Sequence, residues 1–385
     1  MIRLPVKPQE LIKIGKDARL DRVFCATAVL LGILGTLMVF TAGYAYADTK
    51  YGDPLYFIKR QVIWLAVGII VMLIGSRVSI DVYKRLTVVL YAASIALLIL
   101  TLLIGFAGNG AQRWISIGPL TLQPSEIAKL AVVMALAYYF DKNSIRACSP
   151  SSKKESFVHG TLIPFLILLI PILLIMLQHH LSCIIIIGCI GITLILLAGI
   201  EMRYIAGFIG AGATGVCSIA LFTDYTKDRL TVWLDPEKYK LTGGWQTLQG
   251  LMAIGSGGLF GKGFMRGELK YCYVSEPAND MIFAILCEEL GFVGAMCTLM
   301  LFTLLIYRGF YIAARVRDTF SRLVCLGICS QIAIQTLLNI AVVTNTIPNT
   351  GISLPFFSYG GSSLIMLFFE VGIILSVSRE ATLKK

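Results

Sequence analysis

Ionisable residues at the edges of long apolar stretches are the first candidates for chemistry in this chain. Glu126 and Lys129 stand three residues apart, a spacing that places them on one face of a helix. Asp280 stands at the start of a second apolar stretch. Burying a charge in lipid is costly, so ionisable residues there mark a functional site by default. A carboxylate can remove a proton, and a lysine can stabilise developing negative charge.

Helix capping is the plainer interpretation of the same residues. Pro124, Ser125 and Glu126 form a pattern that begins many helices, and Asp280 would lie at or near the N-cap of the helix that follows it. Capping does not account for Lys129, which lies inside the apolar stretch. The pair of Glu126 and Lys129 therefore favours a functional site, with a purely structural ion pair as the alternative.

A glycine-rich run occupies residues 255–263 and contains Lys262. It departs from the phosphate-binding P-loop because Gly263, rather than Ser or Thr, follows that lysine. We therefore expect a tight backbone turn or a re-entrant loop at this run, not a nucleotide site. Lys262, Arg266 and Lys270 could face an anionic headgroup, or they could simply be solvated.

Three further carboxylates lie within apolar stretches and need partners there. Glu288 and Glu289 follow Asp280 by about two helical turns, and Glu370 lies in the last apolar stretch. Buried carboxylates require polar surroundings. We expect the helix of Glu288 and Glu289 to face a polar interior on at least one side, and Glu370 to be structural.

The composition indicates what positions these residues. Hydrophobic residues make up 57% of the 385 residues and charged residues 14%, with a mean hydropathy of +0.81. Soluble domains carry about 25% charged residues, and apolar runs of about 20 residues suffice to cross a bilayer. The sequence predicts an all-α integral membrane protein, a single domain over 1–385, with about ten transmembrane helices near 22–46, 61–78, 84–105, 125–140, 160–178, 182–199, 203–222, 281–307, 319–343 and 362–378.

The distribution of Lys and Arg predicts the orientation of these helices. The basic arm 1–21 belongs in the cytoplasm, and most of the 33 basic residues then fall on that side. Both termini are predicted to be cytoplasmic, with the residues 223–280 forming one large extracytoplasmic loop between the seventh and eighth helices. The arm is too long, and the span after it too long, for a cleavable signal peptide. The net charge of +11 reflects this bias, so no nucleic-acid partner is expected.

Six tracts, in order and at similar spacing, resemble the shape, elongation, division and sporulation (SEDS) family, which comprises FtsW, RodA and SpoVE. The likeness runs from about residue 20 to 380 and is slightly closer to the FtsW and SpoVE types than to the RodA type. The tracts are QRWI at 112–115, QPSEIAK at 123–129, GSGGLFGKG at 255–263, NDMIFA at 279–284, EELG at 288–291 and LPFFSYGGSS at 354–363.

The resemblance implies a peptidoglycan glycosyltransferase of the bacterial cytoplasmic membrane. Such an enzyme polymerises lipid II, an undecaprenyl-diphosphate disaccharide, at the outer face of that membrane. It works with a class B penicillin-binding protein and with other proteins of the division or elongation machinery. The family's essential acidic residue corresponds to Asp280 here.

One departure from the family bears on the site. A Pro-Asp pair usually follows the fifth helix, whereas this chain has His179 and His180. Any role for an acid at that position is lost, which leaves Asp280 as the one well-supported catalytic carboxylate. The two histidines could form part of a metal site, but two ligands alone make a weak one.

The site hypothesis assigns Asp280 as the general base or a cation ligand. Arg113 and Lys129 would contact the diphosphate with help from Lys262, and Glu126 would keep Lys129 charged and oriented. The remaining candidates for substrate binding are Gln123, Ser125 and Lys270. No motif requires a cofactor, although a divalent cation such as Mg²⁺ or Mn²⁺ could share the phosphate charge.

Two other functions fit the same sequence. A lipid II flippase could use the same polar residues, and a non-catalytic scaffold could recruit the penicillin-binding protein. A transporter should carry ionisable residues along a path near the membrane midplane. This chain gathers them near one predicted membrane face, which favours the enzyme.

The predicted topology can be tested by cysteine labelling in intact cells. A cysteine introduced near Lys153 should resist an impermeant thiol reagent until the cells are permeabilised, because the segment 141–157 is predicted to be cytoplasmic. A cysteine introduced within 223–280 should react without permeabilisation. Labelling near Lys153 in intact cells would reverse the predicted orientation.

Overall fold

The computed structural model describes residues 20–108, 111–117, 120–148, 158–200, 206–207, 210, 224–241, 243–271 and 277–383. Helices form most of this part of the chain, together with one small sheet. In chain order the elements are α1 (Arg22–Tyr51), α2 (Tyr56–Gly75), α3 (Ile80–Ile104), β1 (Phe106–Gly108), β2 (Ala111–Ile117), β3 (Leu120–Leu122), α4 (Pro124–Cys148), a π-turn (Val158–Leu162) leading into α5 (Ile163–Leu177), α6 (Leu181–Leu197), α7 (Asp224–Leu234), α8 (Gly244–Ser256), α9 (Ile282–Ala314), α10 (Thr319–Val343) and α11 (Gly361–Leu383).

Seven helices of the described chain are long and apolar enough to cross a membrane, and α6 is apolar but shorter. The predicted all-α membrane class is confirmed. The total of ten spans stays a prediction, because the predicted span 203–222 lies outside the described residues apart from 206–207 and 210. The helix α1 runs beyond its predicted end at residue 46 because backbone hydrogen bonding continues as far as Gly52, which ends it with φ 67°.

A three-stranded antiparallel sheet connects α3 to α4, and the sequence analysis did not predict it. The strand order is β1-β2-β3, with Phe106 opposite Trp114 and Ile115 opposite Leu122. The strands are short, of three, seven and three residues, so the alternation of polar and apolar residues is too brief to identify them. The sheet matters for the site because β2 carries Arg113.

The helices α5 and α6, which correspond to the predicted spans 160–178 and 182–199, form a tight hairpin. Only residues 178–180 separate them, and His179 adopts a left-handed conformation with φ 54°. Gly191 of α6 leaves room for Leu168 of α5, whose methyl groups a Cβ at that position would meet. The two residues lie about equally far from the turn, as an antiparallel hairpin requires.

The helix α9 is broken at Gly291, and the glycine-rich run packs into the break. Gly291 has φ 68° and ψ −169°, and a Cβ there would collide with the backbone of Gly261. The backbone N–H groups of Lys262 and Gly263 donate to the carbonyl oxygens of Glu288 and Glu289 at 2.9 and 3.0 Å. These bonds satisfy carbonyl groups next to the break, which lipid could not do. The predicted tight backbone turn is confirmed.

The segment 344–360, between α10 and α11, is irregular, and residues 352 and 354–357 within it are buried. Phe356 and Phe357 are 1% and 0% exposed, and the carbonyl group of Phe356 lies where a Cβ on Gly35 of α1 would stand. Non-helical backbone at this depth is tolerated when protein surrounds it.

Two ion pairs join the broken helix to the glycine run and to the segment after it. Lys262 Nζ lies 3.0 Å from Glu288 Oε1, and Lys270 Nζ lies 2.5 Å from Glu289 Oε1. Both glutamates and Lys270 are fully buried. The backbone N–H of Met265 also donates to Glu289, at 3.1 Å. These contacts provide the polar surroundings that the sequence predicted for this helix.

Removing one member of the buried Lys270–Glu289 pair tests how much this pair contributes to stability. Lys270→Met should destabilise the protein by about 3–5 kcal/mol, because it leaves a buried Glu289 charge without its partner. The double variant with Glu289→Leu should recover most of that loss. Lys59→Met is the control, since its pair with Asp53 is exposed and should contribute less than about 1 kcal/mol. The free energy of unfolding is measured in detergent for the wild type and the three variants. Equal losses for Lys270→Met and Lys59→Met would contradict a stabilising role for the buried pair.

Candidate active site

A cavity of about 690 Å³ collects five of the eight candidate site residues, namely Arg113, Gln123, Glu126, Lys129 and Asp280. Its walls come from the sheet, the start of α4, the turn between α5 and α6, the residues before α9, the irregular segment and the start of α11. The charged and polar residues that line it include Arg60, Arg113, Gln123, Glu126, Lys129, His180, Ser182, Asp280, Gln335 and Ser363.

Glu126 and Lys129 form a buried ion pair on the first turns of α4. Lys129 is 2% exposed, and its Nζ lies 2.9 Å from Glu126 Oε1 and 3.1 Å from Gln335 Oε1. The hydroxyl group of Ser363 donates to the other Glu126 oxygen at 2.9 Å. Pro124 at the start of α4 fixes where the helix begins. The spacing of three residues therefore brings the pair together as predicted, and α10 and α11 hold it from the opposite side.

Asp280 lies at the junction of α9 with the irregular segment. The N-cap position of α9 is Met281, which makes no side-chain capping bond, so Asp280 stands one residue before the cap. Asn339 of α10 donates from one amide group to the carbonyl oxygens of Asp280, at 3.0 Å, and Ile352, at 2.6 Å. A Cβ on Gly351 would lie 3.1 Å from Asp280 Oδ2. The Asp280 carboxyl group therefore lies against the backbone of Gly351 in the cavity wall.

Arg113 connects the sheet to the turn between α5 and α6. Its guanidinium group donates to the carbonyl oxygen of His179 at 2.5 Å, while its side chain lines the cavity. Lys129 lines the same cavity from α4. The structure thus places the basic side chains of β2 and α4 around one space, and Arg60 of α2 lines it as well.

The turn residue His180 lies in the cavity wall, whereas its neighbour His179 is exposed. Burial, with smaller contributions from the positive charges of Arg113 and Lys129, lowers the pKa of His180 to about 3. The ring is therefore neutral near pH 7. Among the described residues, no group of three or more His, Cys, Asp and Glu is arranged to hold a metal ion.

The candidates Lys262, Lys270 and Ser125 lie elsewhere than the sequence suggested. Neither lysine is among the residues that line the cavity. They neutralise Glu288 and Glu289 instead, and the bond to Glu288 raises the pKa of Lys262 above its ordinary value. The sequence does not reveal such long-range pairing between lysines in a loop and carboxylates in a helix, and a role of these lysines in substrate binding stays a prediction. Ser125 is buried behind the lining residues.

Sequence reasoning missed the polar stripe on α10. Gln331, Gln335 and Asn339 repeat every four residues, so they share one face of an otherwise apolar helix. Gln335 contacts Lys129, Asn339 contacts the backbone of Asp280, and Gln331 donates to both oxygens of Glu370 at 2.9 Å. The regular spacing was a usable signal for this face. The contact with Gln331 agrees with a structural role for Glu370.

These features define a multi-pass membrane protein in which the sheet, the irregular segment and the ends of several helices line one cavity with ionisable residues in its wall. The chain belongs to the FtsW/RodA/SpoVE family of cell cycle proteins, whose match covers residues 21–383. It is 37% identical over 362 residues to Stage V sporulation protein E of Bacillus subtilis, and the alignment covers 93% of this chain and 97% of that protein. It is 34% identical over 360 residues to peptidoglycan glycosyltransferase MrdB of Escherichia coli, and that alignment covers 93% of this chain and 94% of MrdB.

Solved structures agree with this membership. Rod shape determining protein RodA of Thermus thermophilus superposes with a TM-score of 0.69 at 25% identity, over 95% of this chain and 99% of that one. A chain of a peptidoglycan synthase complex, studied for the coordination of polymerization and crosslinking, superposes with a TM-score of 0.78 at 27% identity, over 94% and 98%. The family resemblance identified from the sequence is confirmed.

The close approach of Gly351 to Asp280 predicts an energetic coupling between the two positions. Gly351→Ala should cost about 1–2 kcal/mol of stability from its φ of 72° alone, and more because its methyl group meets the carboxyl group. In an Asp280→Ala background only the backbone strain should remain, so a double-mutant cycle should show coupling.

Gly360→Ala is the matched control for this cycle, because a Cβ there makes only an ordinary contact of 3.6 Å with Ser363. It should show no coupling to Asp280. Thermal unfolding in detergent measures each variant. Additive effects of Gly351→Ala and Asp280→Ala would place the carboxyl group away from Gly351.

Proposed function

We propose that the protein is a peptidoglycan glycosyltransferase that polymerises lipid II into glycan strands. The observation that carries the proposal is one cavity whose lining includes the Asp280 carboxylate and the basic side chains of Arg113 and Lys129. Membership of a family whose relatives include peptidoglycan glycosyltransferases gives this geometry its substrate class. The activity in turn supports a role in cell division, elongation or sporulation.

The reaction requires a base and a stabilised leaving group. The 4-hydroxyl oxygen of the acceptor sugar forms a bond to the anomeric carbon of the donor while the bond from that carbon to the diphosphate oxygen breaks. The diphosphate leaves with the bonding electron pair, and the hydroxyl proton passes to a base. Asp280 takes that proton. Arg113 and Lys129 stabilise the negative charge that develops on the diphosphate.

Glu126 acts on the reaction through Lys129. A fully buried lysine tends to lose its proton, and a carboxylate at 2.9 Å opposes that loss. The contacts of Glu126 with Ser363 and of Lys129 with Gln335 fix the orientation of both side chains. The ammonium group therefore stays charged although it is buried. Gln123 lines the cavity and is available to bind polar groups of the sugar.

The membrane setting follows from the same proposal. The protein is a multi-pass membrane protein. We place it in the bacterial cytoplasmic membrane with both termini in the cytoplasm and the cavity open to the outer face, where lipid II is used. A class B penicillin-binding protein is the proposed partner, because a related chain belongs to a complex that couples polymerization to crosslinking. Other division or elongation proteins complete the assembly.

Replacing the proposed base tests this function. Asp280→Asn should lower glycan polymerisation by purified protein supplied with lipid II by about 10²–10⁴-fold, the usual contribution of general base catalysis. Folding should be retained, because the N-cap of α9 uses no side chain. Asp235→Asn is the control, since that carboxylate lies in an exposed turn and should not affect the rate. A stable, fully active Asp280→Asn protein would exclude the proposed mechanism.

A further inference from the structure

The side chain of His180 is a polar group in the cavity wall that the mechanism above does not use. His180 is 8% exposed and is one of the residues that line the cavity. Its Nδ1 atom is buried and has no hydrogen-bond partner among the described residues. Native structures keep few such atoms, and each one calls for an explanation such as a ligand or an ion.

The fold itself does not require the imidazole. The backbone N–H of His180 donates to Ile175 at 3.3 Å, and its carbonyl group accepts from Ile184 at 3.3 Å. Arg113 holds the turn from outside through the carbonyl oxygen of His179. These backbone contacts form the turn between α5 and α6. A leucine at position 180 would form the same turn and would leave no buried polar atom unsatisfied.

The charges around the ring indicate which ligand it would meet. Arg113 on β2, and Glu126 and Lys129 on α4, share the cavity lining with His180, together with Asp280 before α9. Glu126 is engaged by Lys129 and Ser363. A neutral imidazole beside two basic groups leaves their positive potential intact, whereas a carboxylate at position 180 would reduce it. This part of the wall therefore suits an anion.

We infer that His180 is a diphosphate-binding residue, whose neutral imidazole donates a hydrogen bond to a phosphate oxygen held by Arg113 and Lys129. A neutral imidazole carries one N–H donor, and phosphate oxygens are strong acceptors. The inference rests on the proposed function for the identity of the lipid. If it holds, replacing the aspartate of the usual Pro-Asp pair with His180 makes the binding wall of this protein more positive.

Three substitutions at position 180 separate a binding role from a structural one. His180→Asn keeps a neutral N–H donor near the position of Nδ1 and should bind the diphosphate about as well as the wild type. His180→Leu removes the donor and should weaken binding by about 10-fold, the size of one hydrogen bond to a charged group. His180→Asp adds a negative charge and should weaken binding at least as much at low salt, with a loss that shrinks as salt screens the repulsion.

The measurement is titration of undecaprenyl diphosphate into the purified full-length protein in detergent, with undecaprenol as the control lipid and inorganic pyrophosphate as the free headgroup. Melting temperatures are recorded for the same variants. A binding role predicts that His180→Leu binds more weakly yet melts no lower than the wild type, because it removes an unsatisfied group. A structural role predicts a lower melting temperature with unchanged affinity of the folded protein.

Wild-type affinity in both His180→Leu and His180→Asp would overturn the inference, as would the absence of diphosphate binding by the wild type. Polymerisation of lipid II, followed in parallel, separates this result from the proposed function. Diphosphate binding that depends on His180 without any polymer would refute the proposed enzyme while supporting the site. Polymer formation at the wild-type rate in the position-180 variants, with unchanged diphosphate binding, would support the proposed enzyme and refute the role of His180.

Discussion

Neutralisation of buried charge is the constraint on which this structure depends. Glu288 and Glu289 are fully buried in an apolar helix, where an unpaired carboxylate would be very costly. Lys262 and Lys270 pair with them, and the backbone of the glycine run bonds to the same helix beside its break at Gly291. These contacts fix the first turns of α9, and the position of that helix start determines where Asp280 lies.

The site is assembled from segments that meet only in the folded chain. Asn339 of α10 joins the backbone of Asp280 to the irregular segment, and Gln335 one turn away holds Lys129 of α4. One polar face of one helix thus links the proposed base to one of the proposed diphosphate-binding groups. Interactions of this kind explain why a cavity with several ionisable groups can exist inside an apolar bundle.

Local features of the fold could be predicted from the sequence, and long-range pairing could not. The pairing of Glu126 with Lys129 follows from helical spacing, and the hairpin after residue 177 follows from its short turn. The sheet could not be predicted because its strands are too short to show a pattern. Lys262 and Lys270 were assigned to the substrate because nothing local indicates that their partners are Glu288 and Glu289. The approach of Gly351 to Asp280 joins two distant segments and has no local signal.

A structure of the Asp280→Asn protein with lipid II bound tests the central claim most directly, because the substitution should trap the substrate. The account predicts the diphosphate inside the cavity, within hydrogen-bond distance of Arg113 and Lys129, with the reacting sugar next to position 280. A diphosphate held by Lys262 and Lys270 beside the glycine run, with the cavity free of lipid, would contradict it.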